Sequence, residues 1–423
     1  MKRNLKRYGI LSVICLLPFF IFAQKPKKEE KFGLFLTGNR KFTTIQFQMH
    51  ANLIIVPVRI NDSDTLHFIL DTGVSSIIIT DPKALKHQKL NMTREVLLAG
   101  AGEGQALTAS VAIGNTINMG HMKATYQNMV VLKDDVLKLS EFVGVPVHGI
   151  FGFDIFNNFV VTVDFVNREI MLEQPNHYKY RPRKGDKYPL IIEETKAYTD
   201  MVALVSNGRE LPIRMLIDTG AGHALLIDKT PENEIQLPQK VIRAQLGRGL
   251  NGVINGNLGR IDKVRFGRHE LKNVLASFPD SVSFGVKFRN PAQHTVRQGN
   301  IGCELLRRFR VTFNYRDHYM VLKPVRQRLR EAFEHDMSGV ELRASGTKMQ
   351  RYHIDRVIEN SPAFEAGLEE GDELVFVNNN IASELSISEI YKIFQRGEGK
   401  PIELFVRRKD QIHFAKFALK RMI

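Results

Sequence analysis

One long pattern occurs twice in this chain, and that repeat constrains the fold more than any figure of composition. The first copy opens on an apolar run, Leu53-Ile54-Ile55-Val56-Pro57-Val58, followed by a polar turn at Asn61-Asp62-Ser63-Asp64. Leu66-His67-Phe68-Ile69-Leu70 then runs directly into Asp71-Thr72-Gly73. The second copy has Met201-Val202-Ala203-Leu204-Val205, a turn at Ser206-Asn207-Gly208, and Ile213-Arg214-Met215-Leu216-Ile217 leading into Asp218-Thr219-Gly220. Short β-branched and apolar runs bounded by turn residues predict strands, and Asn-Gly between two such runs predicts a hairpin. Further apolar residues follow each Asp-Thr-Gly, at Ile77-Ile78-Ile79 and Leu225-Leu226-Ile227, and a glycine-rich stretch comes after them. Each copy closes on a second glycine element, Gly149-Ile150-Phe151-Gly152 or Gly299-Asn300-Ile301-Gly302. From the Asp to that last glycine is 81 residues in one copy and 84 in the other. A repeat of this length predicts two homologous β-rich lobes, over 45–175 and 198–327, rather than a stack of small units. Gln174 to Pro189, rich in Pro, Lys, Arg and Tyr, reads as part of an inter-lobe linker over 176–197.

One Asp-Thr-Gly is a weak signal, because so short a motif arises by chance. Two, each ending an apolar strand inside a longer repeat, are a specific one. Two carboxylates held close together cannot both ionise comfortably, so they share a proton and titrate as a coupled pair. Such a pair suits general acid–base hydrolysis without a covalent intermediate. Residues 45 to 325 resemble the pepsin and retropepsin superfamily of aspartic peptidases. The resemblance implies a mainly β fold of two lobes forming one active-site cleft, with Asp71 and Asp218 as catalytic residues and a polypeptide as substrate. It further implies supporting roles for Thr72, Gly73, Thr219 and Gly220, the threonines bonding across the lobe interface. No metal or organic cofactor is implied. The alternative is a catalytically silent scaffold that keeps the fold without turnover.

Where pepsin-like chains carry Ser or Thr directly after the motif, this chain has Val74 and Ala221, which cannot donate a hydrogen bond to a carboxylate. A carboxylate without such donors titrates higher, so activity is expected at mildly acidic to neutral pH rather than below about pH 3. Asn300 departs from the apolar-apolar-Gly pattern, and His223, just past the second motif, reads as a structural or solvent-facing histidine, with tuning of the site as the alternative. The glycine-rich stretches are flap candidates, with Gly100, Gly102 and Gly104 in one and Gly247 and Gly249 in the other.

From about residue 335 the character changes. Ser361-Pro362-Ala363-Phe364-Glu365-Ala366-Gly367-Leu368-Glu369-Glu370-Gly371-Asp372-Glu373-Leu374 is similar to the signature of PDZ domains, which are α+β. Ser386-Ile387-Ser388-Glu389 predicts a capping box opening a helix to Arg396. The resemblance, over 335–423, implies that a peptide C-terminus or extended segment is taken up by strand addition. Its gripping loop would be Ser338-Gly339-Val340-Glu341-Leu342. The alternative is a module that serves only as a packed cap. The sequence ends on Lys420-Arg421-Met422-Ile423, an apolar end of the kind such a groove accepts.

Ahead of the repeats, Lys2, Arg3, Lys6 and Arg7 precede an apolar run from Tyr8 to Phe22. The run is short for a membrane span and contains Pro18, so residues 1–23 read as a secretory signal cleaved after Ala23. Export to a bacterial periplasm or cell envelope is expected, with membrane contact only if that segment is retained. Residues 24–44 read as a leader, charged at its start. Net charge is +15, but no nucleic-acid-binding signature accompanies it, and a solvated basic surface is expected. Of the two cysteines, Cys15 falls inside the signal, and Cys303 reads as a small buried apolar group.

Overall fold

A computed structural model describes residues 31–204, 209–228, 235–280 and 297–423. The signal-peptide reading, the first part of the leader and the turn at 206–208 lie outside the described residues. The fold is mainly β, and its two lobes are built in the same strand order.

In the first lobe the strand ending at Asp71 (Leu66–Leu70) lies between Leu53–Ile60 and Gly149–Phe151. Beyond these come Ile77–Ile79, Met122–Leu132, Leu107–Met119 and Asn91–Leu98. The second lobe repeats this with Lys196–Leu204, Glu210–Ile217, Gly299–Ile301, Leu225–Ile227, His269–Pro279, Gly252–Phe266 and Val241–Gly249. A further pairing closes each lobe on itself, between Ile60 and Ile117 in one and between Ala203 and Val264 in the other. Closure removes most free strand edges.

A six-stranded sheet underlies both lobes, ordered Asp186–Pro189, Tyr319–Pro324, Phe309–Asn314, Val160–Asp164, Glu169–Glu173 and Phe42–Gln46. At its centre Thr162 pairs with Thr312 across the boundary between copies, their hydroxyls 2.8 Å apart. Phe156 of the first lobe packs edge-on to Phe313 and stacks on Tyr315 of the second. Two segments read from sequence as connections contribute strands. Gly33–Leu36 lies within the expected leader and Phe42–Gln46 straddles its end, while Asp186–Pro189 lies within the expected linker. The pairing partners of those strands are at least 75 residues away along the chain, so nothing local in sequence marks them.

Residues from about 337 build a second core under a sheet ordered Val340–Ser345, Arg351–Val357, Glu373–Val377, Pro401–Arg408 and Gln411–Ala418. Ser361 caps the short helix Pro362–Glu365. Ser386 and Glu389 form the expected capping box on helix Ile387–Phe394, which closes two residues before Arg396 and buries Ile387, Ile390, Ile393 and Phe394. Val340–Ser345 is the edge strand, and helix Leu139–Val143 of the first lobe packs against it. Ile423 is buried against Ala244 and Leu258 of the second lobe, so the apolar end is tucked in on its own chain.

Candidate active site

Asp71 and Asp218 occupy equivalent places. The Asp71 N–H donates to Phe151 O at 2.9 Å, and the Asp218 N–H to Ile301 O at 3.0 Å. Each aspartate is therefore anchored by the closing glycine element of its own copy, which runs parallel to the strand that carries it. This close approach explains the glycine after each anchor. A Cβ on Gly152 would lie 1.6 Å from Asp71 O, a separation no side chain tolerates.

The two threonines tie the copies together. The Thr72 N–H donates to Thr219 Oγ1 and the Thr219 N–H to Thr72 Oγ1, both at 3.0 Å. Each hydroxyl then donates to the strand of the opposite lobe, Thr72 Oγ1 to Ile217 O at 2.7 Å and Thr219 Oγ1 to Leu70 O at 2.8 Å. Both side chains are fully buried, so all four bonds form away from water, where an unmade one is costly. The threonines thus hold the two motifs rigidly face to face.

That placement brings the carboxyls together. The Gly73 N–H donates to Asp71 Oδ1 at 2.6 Å, and the Gly220 N–H to Asp218 Oδ1 at 3.0 Å. A Cβ on Gly220 would stand 2.3 Å from Asp71 Cγ, so only glycine lets the opposite carboxyl come this near. Burial, and then the charge of Asp218, push the Asp71 carboxyl up to about 8, against the lowering effect of the Gly73 and Gly220 N–H groups. At neutral pH the Asp71 carboxyl therefore keeps its proton, and the two groups titrate as a pair.

The two halves of the site differ in what stands beside each aspartate. Asn300 is buried on strand Gly299–Ile301, and its Nδ2–H donates to Asp218 Oδ2 at 2.6 Å. Its Oδ1 lies 3.0 Å from His223 Nε2. Sequence reasoning treated Asn300 as a departure from the pattern and favoured a structural or solvent-facing His223 over one that tunes the site. The signal was present, in that Asn300 and His223 stand where the first copy has Ile150 and Ser76, but a polar residue replacing an apolar one looked like loss. Val74 lacks a donor, as expected, and packs into apolar clusters with Ile150 and Leu139. Ala221 offers its carbonyl to the Cys303 N–H at 2.7 Å. Cys303 is fully buried, its thiol donating to Thr219 O at 3.3 Å and pushed well up by burial and both aspartates.

The two glycine-rich tips meet each other. The Asn251 N–H donates to Ala101 O at 2.8 Å, its carbonyl accepts from Gly104 N–H at 2.6 Å, and its Oδ1 accepts from Gly100 N–H at 2.9 Å. Cβ atoms on Gly100, Gly102 or Gly249 would fall within 2.6 Å of atoms on the opposite tip. Gly247 does not share this close approach: its space is open, and its φ of 151° is what calls for glycine. Leu250 joins Val74, Leu98 and Leu107 in one apolar cluster, linking the joined tips to the first motif.

The loop 338–342 lies in the C-terminal unit, apart from the aspartates in the fold. Its Ser338 and Gly339 N–H groups donate to the buried carboxylate of Asp336 at 3.1 and 2.7 Å. The Leu342 N–H donates to Tyr391 Oη at 2.8 Å, and Glu341 Oε1 accepts from Gln245 N–H at 3.2 Å. Val340 contributes its side chain to the core of that unit. Among the described residues no cluster of three or more His, Cys, Asp or Glu is placed to hold a metal ion.

Residues 56–155 and 202–305 each match the family model described as aspartyl protease. No curated protein matches the chain. The two matched stretches are those whose glycine elements and threonines assemble the aspartate pair. The chain thus carries two homologous aspartyl protease repeats of the pepsin and retropepsin type, one aspartate from each.

Proposed function

We propose that the protein is an aspartic endopeptidase acting through Asp71 and Asp218. The observation that carries this reading is the reciprocal bonding of Thr72 and Thr219, which has no need to be so exacting unless two carboxyls must be held together. A water between the carboxyls attacks the scissile carbonyl carbon and gives a proton to ionised Asp218, while Asp71 gives its proton to the carbonyl oxygen. The resulting diol collapses as Asp218 passes its proton to the leaving nitrogen, the C–N bond breaks, and a diol hydroxyl returns a proton to Asp71. The joined glycine tips serve as flaps that exclude water and must part for a polypeptide to enter.

In the same reading the C-terminal unit is a PDZ-like module, supported by the Ser361 cap, the Ser386–Glu389 capping box and the edge strand Val340–Ser345. The Ser338 and Gly339 N–H groups are already bound to Asp336, which disfavours a grip on a terminal carboxylate, and an extended segment added to the edge strand must displace Tyr391 from the Leu342 N–H. Export rests on the sequence of residues 1–23. The test is digestion of a mixed peptide library by wild type, Asp71→Asn and Asp218→Asn, with and without added C-terminal peptides. Cleavage by wild type alone supports the reading. A folded wild type inert under every condition supports the silent scaffold.

A further inference from the structure

We propose that Asn300 and His223 are positioning residues that make Asp218 the ionised member of the pair. The proposal rests on the peptidase reading for its consequence, but its geometry stands apart from it.

An amide N–H can only donate. With Nδ2 at 2.6 Å from Asp218 Oδ2, Asn300 favours the carboxylate over the acid at that oxygen, since a charged acceptor makes the stronger bond. The amide could turn over, placing its Oδ1 against Asp218 Oδ2, but only a protonated Asp218 satisfies that arrangement. His223 decides between the two. Its Nε2–H, donating to Asn300 Oδ1 at 3.0 Å, holds the orientation that donates to Asp218. The charged groups facing His223 are Asp218 and Arg297, the latter ion-paired with Asp228 at 2.8 Å. Burial lowers the pKa of His223 and favours the neutral ring, and because Asn300 Oδ1 can only accept, the contact at 3.0 Å calls for the tautomer with its proton on Nε2.

The first lobe supplies an internal control. Asn300 lies opposite Leu216, two residues before Asp218, and Ile150 lies opposite Ile69, two residues before Asp71. The same strand, in the same register, therefore accepts an isoleucine in one copy and an asparagine in the other. Folding does not require the polar pair; the difference falls on the aspartate beside it. Asp71 has no side-chain donor in the corresponding place, and it is the member that keeps the proton.

The experiment compares wild type, Asn300→Ile, His223→Phe and His223→Gln by kcat/KM from pH 3 to 8. Asn300→Ile should move the acidic limb up by about one to two pH units, the value of one charge-assisted bond, with kcat falling and KM little changed. His223→Phe should move it the same way by less. His223→Gln, which keeps an N–H near the ε position, should restore most of the wild-type profile. Urea unfolding of Asn300→Ile in wild-type and Asp218→Asn backgrounds reads the same bond without catalysis. The loss of stability should be larger at pH 7 than at pH 3 with Asp218 present, and independent of pH without it. An unchanged acidic limb together with a pH-independent loss in both backgrounds would overturn the proposal. PH-dependent coupling in an enzyme that cleaves nothing would leave the bond in place and remove the peptidase reading instead.

Discussion

Burial lifts the Asp71 carboxyl to about 8, and this has a consequence for stability that needs no substrate. Between its ordinary value near 3.8 and about 8, the folded chain keeps a proton that the unfolded chain has released. Stability from this group therefore falls as pH rises through that window and is level above it. Asp71→Asn should raise the melting temperature by a few degrees at pH 8 and by little at pH 4; an equal shift at both would contradict the assignment. Thr219→Val removes a buried hydroxyl that both donates and accepts, leaving Leu70 O and Thr72 N–H unpaired. The expected cost is about 2 to 4 kcal/mol by urea unfolding, and Thr72→Val should cost about the same. The doubly substituted protein should lose less than their sum, because the residues share one network. Asp71, Thr72, Asp218 and Thr219 were legible in sequence because a short motif fixes both identity and spacing. Asn300 and His223 were not, since their meaning depends on strand register and on a hydrogen bond spanning 77 positions.

At the scale of elements, glycine content marked two hairpin tips, but not that they join. Gly100–Gly104 and Gly247–Gly252 are about 150 residues apart, and each stretch alone looks like an ordinary mobile hairpin tip. The joining rests largely on Asn251, which uses its N–H, its carbonyl and its side chain on the opposite tip. Asn251→Ala removes the side-chain bond to Gly100, worth about 1 kcal/mol. Amide exchange at Gly100 and Gly104 should quicken roughly fivefold, since exchange follows the local opening energy. Unchanged exchange would mean that the tips open together with a larger unit. The strands at 33–46 and 186–189 escaped sequence reading for a related reason. They are short and gain their identity from distant partners, Gly33–Leu36 from Met122–Leu132 of the first lobe and the other two from the central sheet.

Across the whole molecule, the repeat predicted two lobes and the change of character near 335 predicted a third unit; how that unit attaches was not predictable. Phe142 of the first lobe lies between two guanidinium groups, with Arg248 of the second flap 4.6 Å and Arg343 of the C-terminal edge strand 4.7 Å from its ring centre. Arg343 also reaches Glu141 at 3.7 Å, and the Ala51 N–H donates to Ser388 Oγ at 3.3 Å. A Cβ on Gly144 would lie 2.5 Å from Ile387, so lobe and module meet without a gap there. These contacts make the C-terminal unit a brace on the second glycine-rich tip as well as on the first lobe. Phe142→Ala should cost about 2 kcal/mol and make the 247–252 tip more open to proteolysis. Loss of stability with no change at that tip would show the brace to be local.

The central claim is that Asp71 and Asp218 act as one unit, and a mutant cycle in kcat/KM tests it most directly. Asp71→Asn, Asp218→Asn and the double variant should each lose about the same activity, more than a thousandfold, from an enzyme most active at mildly acidic to neutral pH. Losses that multiply in the double variant, turnover surviving either single change, or an optimum below about pH 3 would contradict a shared pair of the kind these contacts describe.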